Sequence, residues 1–333
     1  MKKILLFVIL FITSMNSYSR EVYDFNNDWK FSESFTLDSD QKSITLPHVW
    51  GVVGDNQVSD KLYRGACYYS KEFRVPSSFS GKDIYLRFGG VGSVATVYVN
   101  GKYVTEHKGA YTAFNVDITP FVRVNELNSI TVVVSNAPRI DVLPFMSENH
   151  IFGGIYSPVQ LIVVEKTHFS LTHYGSKGVY LRTKNIFPSS ASIDVILMVK
   201  GEASSVVNVE VNVYSEGESV TKSVRSVRLD GLGESRVTMP ITITNPQLWQ
   251  AQENPFLYDV ATILRVDDKI CDSLMTPLGI RDIEINSKNQ FVINDKVLEL
   301  RGVNIFQDNA RVGSAYRSVD FTTDISLIKE MGA

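Results

Sequence analysis

Five histidines (His48, His107, His150, His168 and His173), two cysteines (Cys67 and Cys271) and 36 acidic side chains are the groups that could move protons, hold a metal or attack a substrate. Their spacing excludes several chemistries. No His-Glu-x-x-His run, zinc-type Cys/His cluster, phosphate-binding glycine loop or dinucleotide fingerprint occurs, and no Gly-x-Ser-x-Gly nucleophile elbow is present. The sequence therefore implies no metal and no cofactor. Glycoside cleavage would need two convergent carboxyl groups, and no spacing among the Asp and Glu residues supports such a pair, since strand carboxylates ordinarily face solvent. Trp50 and Tyr111 have the aromatic faces needed to stack on a pyranose ring, with burial in a core as the competing reading. With 33 basic against 36 acidic side chains the net charge is −3, which argues against a nucleic-acid partner.

The elements around these residues are dominated by strands. From Arg20 to about Glu284 apolar residues alternate with period two and are broken by turn residues every eight to twelve positions, as in antiparallel sandwiches. Clear runs are Ile84, Leu86 and Phe88; Ile193, Val195, Leu197 and Val199; Val207, Val209, Val211 and Val213; and Val237, Met239, Ile241 and Ile243. In the third, Asn208, Glu210 and Asn212 fall on the opposite face, so a half-buried strand is expected. Asn100-Gly101 predicts a two-residue hairpin, and Asp267-Asp268 and Asn294-Asp295 are further hairpin tips. After Ser318 the period changes: Phe321, Ile325, Ile328 and Met331 lie along one helical face. With a strand from Leu298 to Val303 before it, this reads as a β/α unit.

Residues 1–19 read as a signal peptide. Lys2 and Lys3 precede the apolar stretch Ile4 to Ile12, and Ser17-Tyr18-Ser19 offers a cleavage site, so release after Ser19 into the periplasm or medium is expected, with no membrane attachment afterwards. The apolar stretch is too short to span a bilayer. An exported protein with only Cys67 and Cys271 is expected to keep two buried free thiols rather than a bridge.

Local motifs then occur in a recognisable order. They are Leu46-Pro47-His48-Val49-Trp50; Val97 to Gly101 followed by His107, Gly109 to Phe114 and Asp117-Ile118-Thr119; Gly153-Gly154-Ile155-Tyr156; Asn254 to Tyr258; Gly279-Ile280-Arg281; Leu300 to Asn304; and Leu327 to Ala333. Together they resemble glycoside hydrolase family 2, the β-galactosidase and β-glucuronidase kind. The resemblance implies a mostly β chain: signal peptide (1–19), jelly-roll sugar-binding sandwich (20–168), immunoglobulin-like sandwich (169–281), and the incomplete first β/α unit of a TIM barrel (282–333). A whole (β/α)8 barrel takes roughly 250 residues, and about 50 follow Arg281. Both catalytic glutamates of the family lie on later barrel strands, so neither is expected here and the chain alone is expected to be inactive.

The resemblance also implies sugar contacts. The loop before Gly153, from Asp141 to Phe152, would reach toward substrate with Asp141, Glu148 and Asn149, a solvated loop that closes the sandwich being the alternative. Asn304, Gln307 and Asp308 would lie at the end of the first barrel strand, where polar groups face the site. The sequence departs from the family pattern at Phe306, where histidine is common, at Glu148, where aspartate is common, and at Ser157, where arginine is common. His48 and His107 are expected to fix loops by hydrogen bonds. A β-glycoside is the expected partner, and a homo-oligomer is open. Two other readings stand beside glycoside hydrolysis: a stand-alone carbohydrate-binding module, and a structural sandwich used for assembly.

Overall fold

The computed structural model describes residues 20–34, 41–53, 57–58, 63–142, 152–230, 233–309 and 311–333. The expected signal peptide, His150, Glu148 and Asn149 lie outside them. The described chain forms two compact units, one of residues 22–163 with 301–333, the other of residues 20–21 with 164–300.

The first unit carries β1 (Glu21–Asp24), β2 (Trp29–Ser32), β3 (Lys42–Ile44), β4 (His48–Val49), β5 (Val52–Val53), β6 (Gln57–Val58), β7 (Ala66–Arg74), β8 (Asp83–Phe88), β9 (Val94–Val99), β10 (Lys102–Lys108), β11 (Phe114–Asp117), β12 (Leu127–Ser135), β13 (Gly154–Ile155) and β14 (Val159–Val164). One sheet runs β10-β9-β12-β7-β2-β3 and a second runs β1-β14-β8-β11, with small pairs β13-β4 and β5-β6. Alternation explains the layering. Cys67, Tyr69 and Phe73 of β7, Val97 and Val99 of β9, and Ile130, Val132 and Val134 of β12 point into one apolar core with Ile84, Leu86 and Phe88 of β8, while the residues alternating with them on β7, β9 and β12 take the opposite face and, on β8, Asp83 and Tyr85 are buried as well. Asn100 and Gly101 both take positive φ and join β9 to β10 as expected.

The second unit carries β15 (His168–Phe169), β16 (Val179–Phe187), β17 (Ser190–Lys200), β18 (Val206–Ser215), β19 (Glu218–Arg228), β20 (Glu234–Thr244), β21 (Tyr258–Val266), β22 (Lys269–Leu278), β23 (Ile283–Ile285), β24 (Phe291–Ile293) and β25 (Lys296–Val297). β17 pairs with β15, β16 and β20 in one sheet; the other runs β19-β18-β21-β22. The three valine- and isoleucine-rich runs predicted for this region are β17, β18 and β20, and their alternate residues form a second core. Asp267-Asp268 and Asn294-Asp295, all at positive φ, close the β21-β22 and β24-β25 hairpins.

Three expectations need correction. No strand forms from Leu298 to Val303: β25 ends at Val297, and Leu300, Val303 and Ile305 lie exposed with no neighbouring strand to complete a ladder. Of the β/α unit only the helix forms, α1 (Ser318–Glu330), started by the Asp320 carboxylate accepting from the Arg317 N–H at 2.9 Å. Its apolar residues Phe321, Ile325 and Met331 are exposed. Second, Cys67 is buried but Cys271 is half-exposed, and both are free. Third, not all strand carboxylates face solvent. Asp272 is fully buried and receives Arg20.

Candidate functional site

The loop between β10 and β11 is the best-organised exposed feature that the sequence singled out. β10 delivers His107 and Lys108; Gly109, at φ 144°, turns the chain in a conformation that favours glycine. The His107 ring stacks on Phe114 at 4.0 Å, and its Nε2 lies 3.1 Å from the Thr112 hydroxyl. Burial lowers the His107 pKa, against smaller opposing hydrogen bonds from Gly109 and Thr112. The ring thus ties the loop's two ends together, as a loop-fixing histidine should. At its tip Tyr111 is 71% exposed, while the Tyr156 hydroxyl donates to the Ala110 carbonyl beneath. Burial, then the neighbouring Tyr111, pushes the Tyr156 hydroxyl up to about 12, so it remains a proton donor at all ordinary pH.

Asp141 meets this loop through Lys108. Its carboxylate accepts from Arg139 Nε and Nη2 and from Lys108 Nζ, each at 2.8 Å. The Arg139 hydrogen bond, then that of Lys108, holds the carboxyl well below the usual carboxylate range. The group is ionised and acts as an acceptor or an orienting charge, not as a proton donor. Sequence reasoning missed Lys108, Arg139 and Tyr156 as members of this group. The signals were the Arg-x-Asp spacing at 139–141 and the tyrosine closing the Gly-Gly-Ile-Tyr motif.

The other candidates are placed differently. Trp50 is 5% exposed, stacked on Phe31 at 6.1 Å, with its indole N–H donating to the Tyr63 carbonyl at 3.0 Å. Stacking of Trp50 on a sugar is therefore corrected to a core role: its ring faces are covered by protein. A Cβ on Gly153 would come 1.8 Å from that ring, and one on Gly154 would come 2.3 Å from the His48 carbonyl. The two glycines let β13 close against β4. His48 Nδ1 lies 2.8 Å from the Tyr69 hydroxyl, and burial, with Lys42 second, lowers its pKa to about 4. It is neutral near pH 7 and fixes the β4 turn.

Asn304 is exposed, as are Phe306 and Asp308. Gln307 donates to the Ser314 carbonyl at 2.6 Å, so its amide nitrogen closes its own loop. That loop is fastened where Gly313 and Ala315 meet Val49 and Phe152. The structure thus ties Asp141, through Lys108, to the strand end from which the Tyr111 loop springs, while Trp50 is fixed in the core and Gln307 within its own loop, and Asn304 and Asp308 stand exposed on the stretch around Gln307. Among the described residues no group of three or more His, Cys, Asp or Glu side chains is arranged to hold a metal ion, and no helix is long and apolar enough to cross a membrane. The chemistry of this loop, an exposed aromatic ring three residues from a lysine that is bound to a carboxylate, suits a polyhydroxylated ligand.

Comparison with known proteins agrees with this chemistry. Residues 51–165 match the family model "Glycosyl hydrolases family 2, sugar binding domain", and residues 177–281 match "Glycosyl hydrolases family 2". A β-glucuronidase of Bacteroides fragilis is 33% identical over 98% of this chain and 47% of its own length. A β-galactosidase of Thermoanaerobacter pseudethanolicus is 30% identical over 94% of this chain and 42% of its own. The crystal structure of Bacteroides uniformis β-glucuronidase 2, covalently bound to cyclophellitol-6-carboxylate aziridine, superposes with a TM-score of 0.87 at 31% identity, covering 95% of this chain and 39% of that one. The chain spans less than half the length of these relatives.

Proposed function

Because this chain belongs to family 2 of the glycosyl hydrolases, we propose that it supplies the sugar-binding and immunoglobulin-like domains of an exported β-glycosidase acting on β-glucuronides or β-galactosides. The observation that carries this is the matched order of the two domains, with Tyr111 and the Lys108–Asp141–Arg139 group presented on loops of the first. The rigid sandwich holds these loops, and Tyr111 and Asp141 position substrate hydroxyls without taking part in bond cleavage.

Bond cleavage is assigned to a carboxyl pair outside residues 20–333. Retaining enzymes need two carboxyl groups about 5–5.5 Å apart and inverting ones need about 6.5–9.5 Å; the carboxylates described above are ion-paired or stand on loops of different roles. The test is to incubate the purified chain, free of host glycosidase, with nitrophenyl β-glucuronide and β-galactoside. No turnover is expected, and turnover that tracks the protein through purification would overturn the assignment. Where the reading frame extends past Ala333, the whole product should hydrolyse one of the two, and Tyr111→Ala and Asp141→Asn should raise its KM. Export is tested by N-terminal sequencing of the mature protein, which should begin at Arg20.

A further inference from the structure

The outward face of the six-stranded sheet carries a polar groove of about 430 Å³. This lies in the size range of small-molecule sites, about 300–1,000 Å³. Its floor is a row of residues aligned by strand register: Thr131 on β12 lies opposite Ser70 on β7, and Ser70 opposite Lys30 on β2; Tyr98 on β9, the partner of Thr131 on its other side, continues the row just outside the groove. Ser129 and Glu72, also cross-strand partners, form the next row. Central strands are hydrogen-bonded on both sides, so these side chains stand on rigid backbone with no free edge to receive a peptide strand.

Two features set this face apart from an ordinary solvated one. Lys30, Ser70, Glu72 and Thr131 line one concavity, yet their side chains pair with no other among the described residues. Their donors and acceptors are left facing outward at strand-fixed spacings. At the end of the row Tyr98 meets Tyr103 edge to face, with ring centroids 6.0 Å apart, and Tyr103 is more than half exposed. The lining charges Asp28, Lys30, Lys71 and Glu72 cancel, so the groove offers no net attraction to a polyanion.

We propose that this groove, with Tyr98 beside it, is a binding site for a neutral β-linked oligosaccharide. Vicinal hydroxyls both donate and accept, which matches a floor of alternating hydroxyl, ammonium and carboxylate groups, and a sugar ring has an apolar face for the tyrosine. The site uses none of the loop residues assigned above. It would hold a polymer chain while hydrolysis proceeds elsewhere.

The test is calorimetric titration of the full chain with cellotetraose and β-galactotetraose as neutral probes and tetragalacturonate as the charged one. Saturable binding of at least one neutral probe is expected, with Kd between about 0.1 and 5 mM. Thr131→Arg and, independently, Ser70→Arg should weaken it at least about tenfold with unchanged melting temperature, while Tyr174→Ala, an exposed tyrosine of the other unit, should leave it unaltered. The proposal is overturned if no neutral probe saturates by about 20 mM, if tetragalacturonate binds better, or if binding survives both arginine substitutions. Should either arginine variant fail to fold, Glu72→Ala on the exposed rim reads the same site. Binding is measured without turnover, so failure here is separable from failure of the proposed hydrolysis.

Discussion

Replacing Arg20 by alanine should unfasten the second sandwich. Arg20 directs Nε to both Asp272 oxygens at 3.2 and 3.1 Å, and Nη2 to Oδ2 at 3.0 Å, to the Phe169 carbonyl at 2.8 Å and to the Lys177 carbonyl at 3.1 Å. The Asp272 side chain is 0% exposed and that of Arg20 8%. Removing one partner of such a buried pair costs about 3–5 kcal/mol, because a charge is left in a poorly solvating site. Two remaining donors, the Phe169 and Ser273 backbone N–H groups at 2.9 Å each, temper this, so roughly 3 kcal/mol is the expected loss.

For a domain of this size 1 kcal/mol corresponds to about 3–5 °C in melting temperature, giving a fall of roughly 10–15 °C in the transition of this unit by differential scanning calorimetry. The double change Arg20→Met with Asp272→Leu should recover most of it, since replacing both partners of a buried pair by apolar groups is often neutral. A loss below about 1 kcal/mol in the single variant would show that water satisfies Asp272 and that the buried-pair argument is wrong. The same pair makes a second demand: a mature chain trimmed to begin at Glu21 should behave as the alanine variant does.

His48 makes stability depend on pH. Its folded pKa of about 4 lies below the ordinary value of 6.5, so the unfolded chain takes up the proton first; the contribution is complete above pH 6.5 and is lost as pH falls toward 4. The urea midpoint should therefore be lower at pH 5 than at pH 7, and His48→Gln should flatten that difference. Gly153→Ala places a methyl group 1.8 Å from the Trp50 ring and should cost about 3 kcal/mol or prevent folding, read as lost soluble yield or a lower melting point. Trp50→Ala should destabilise by about 3–5 kcal/mol, whereas Tyr111→Ala should leave the melting temperature within about 1 °C; equal effects would contradict their opposite burial. In hydrogen exchange Ala315 and Tyr316, buried against the first sandwich unit, should be protected, while amides of α1 exchange fast because that helix has no buried residue; uniform protection across 313–330 would contradict this.

Period-two alternation is a local property, and it located β8, β17, β18 and β20 together with their inward faces, because a strand facing one core writes that face into its own sequence. Two-residue turns were equally legible, since positive φ at both central positions restricts the residues that fit. The loop cluster was legible in part. Tyr111 and Asp141 stood out by type and motif, but Lys108 and Arg139 are common surface residues, and only the fold makes them converge on one carboxylate. Trp50 shows the limit from the other side: an indole has the same chemistry whether it greets a sugar or fills a core, and the deciding fact was the absence of a side chain at Gly153.

What remained hidden is what depends on distant pairing. Arg20 and Asp272 are 252 positions apart, and nothing in the neighbourhood of either marks it for the other. The stretch after Leu298 failed for a related reason. Leu298 to Val303 has the composition of a strand, yet a strand exists only when a neighbour supplies the ladder, and among the described residues the pairing stops at the Leu298 N–H, which donates to the Phe291 carbonyl at 2.8 Å. A helix satisfies its own backbone, so α1 forms from the same region although its apolar residues lie exposed. Between the two, residues 307–309 and 311–316 are ordered by neither device. Gln307 closes the loop on Ser314, and Gly313 and Ala315 seat it against Val49 and Phe152. The first sandwich therefore packs on residues 161 and 163 positions beyond Phe152, and any motion of the β4 turn will be felt at the loop that bears Gln307 and Asp308.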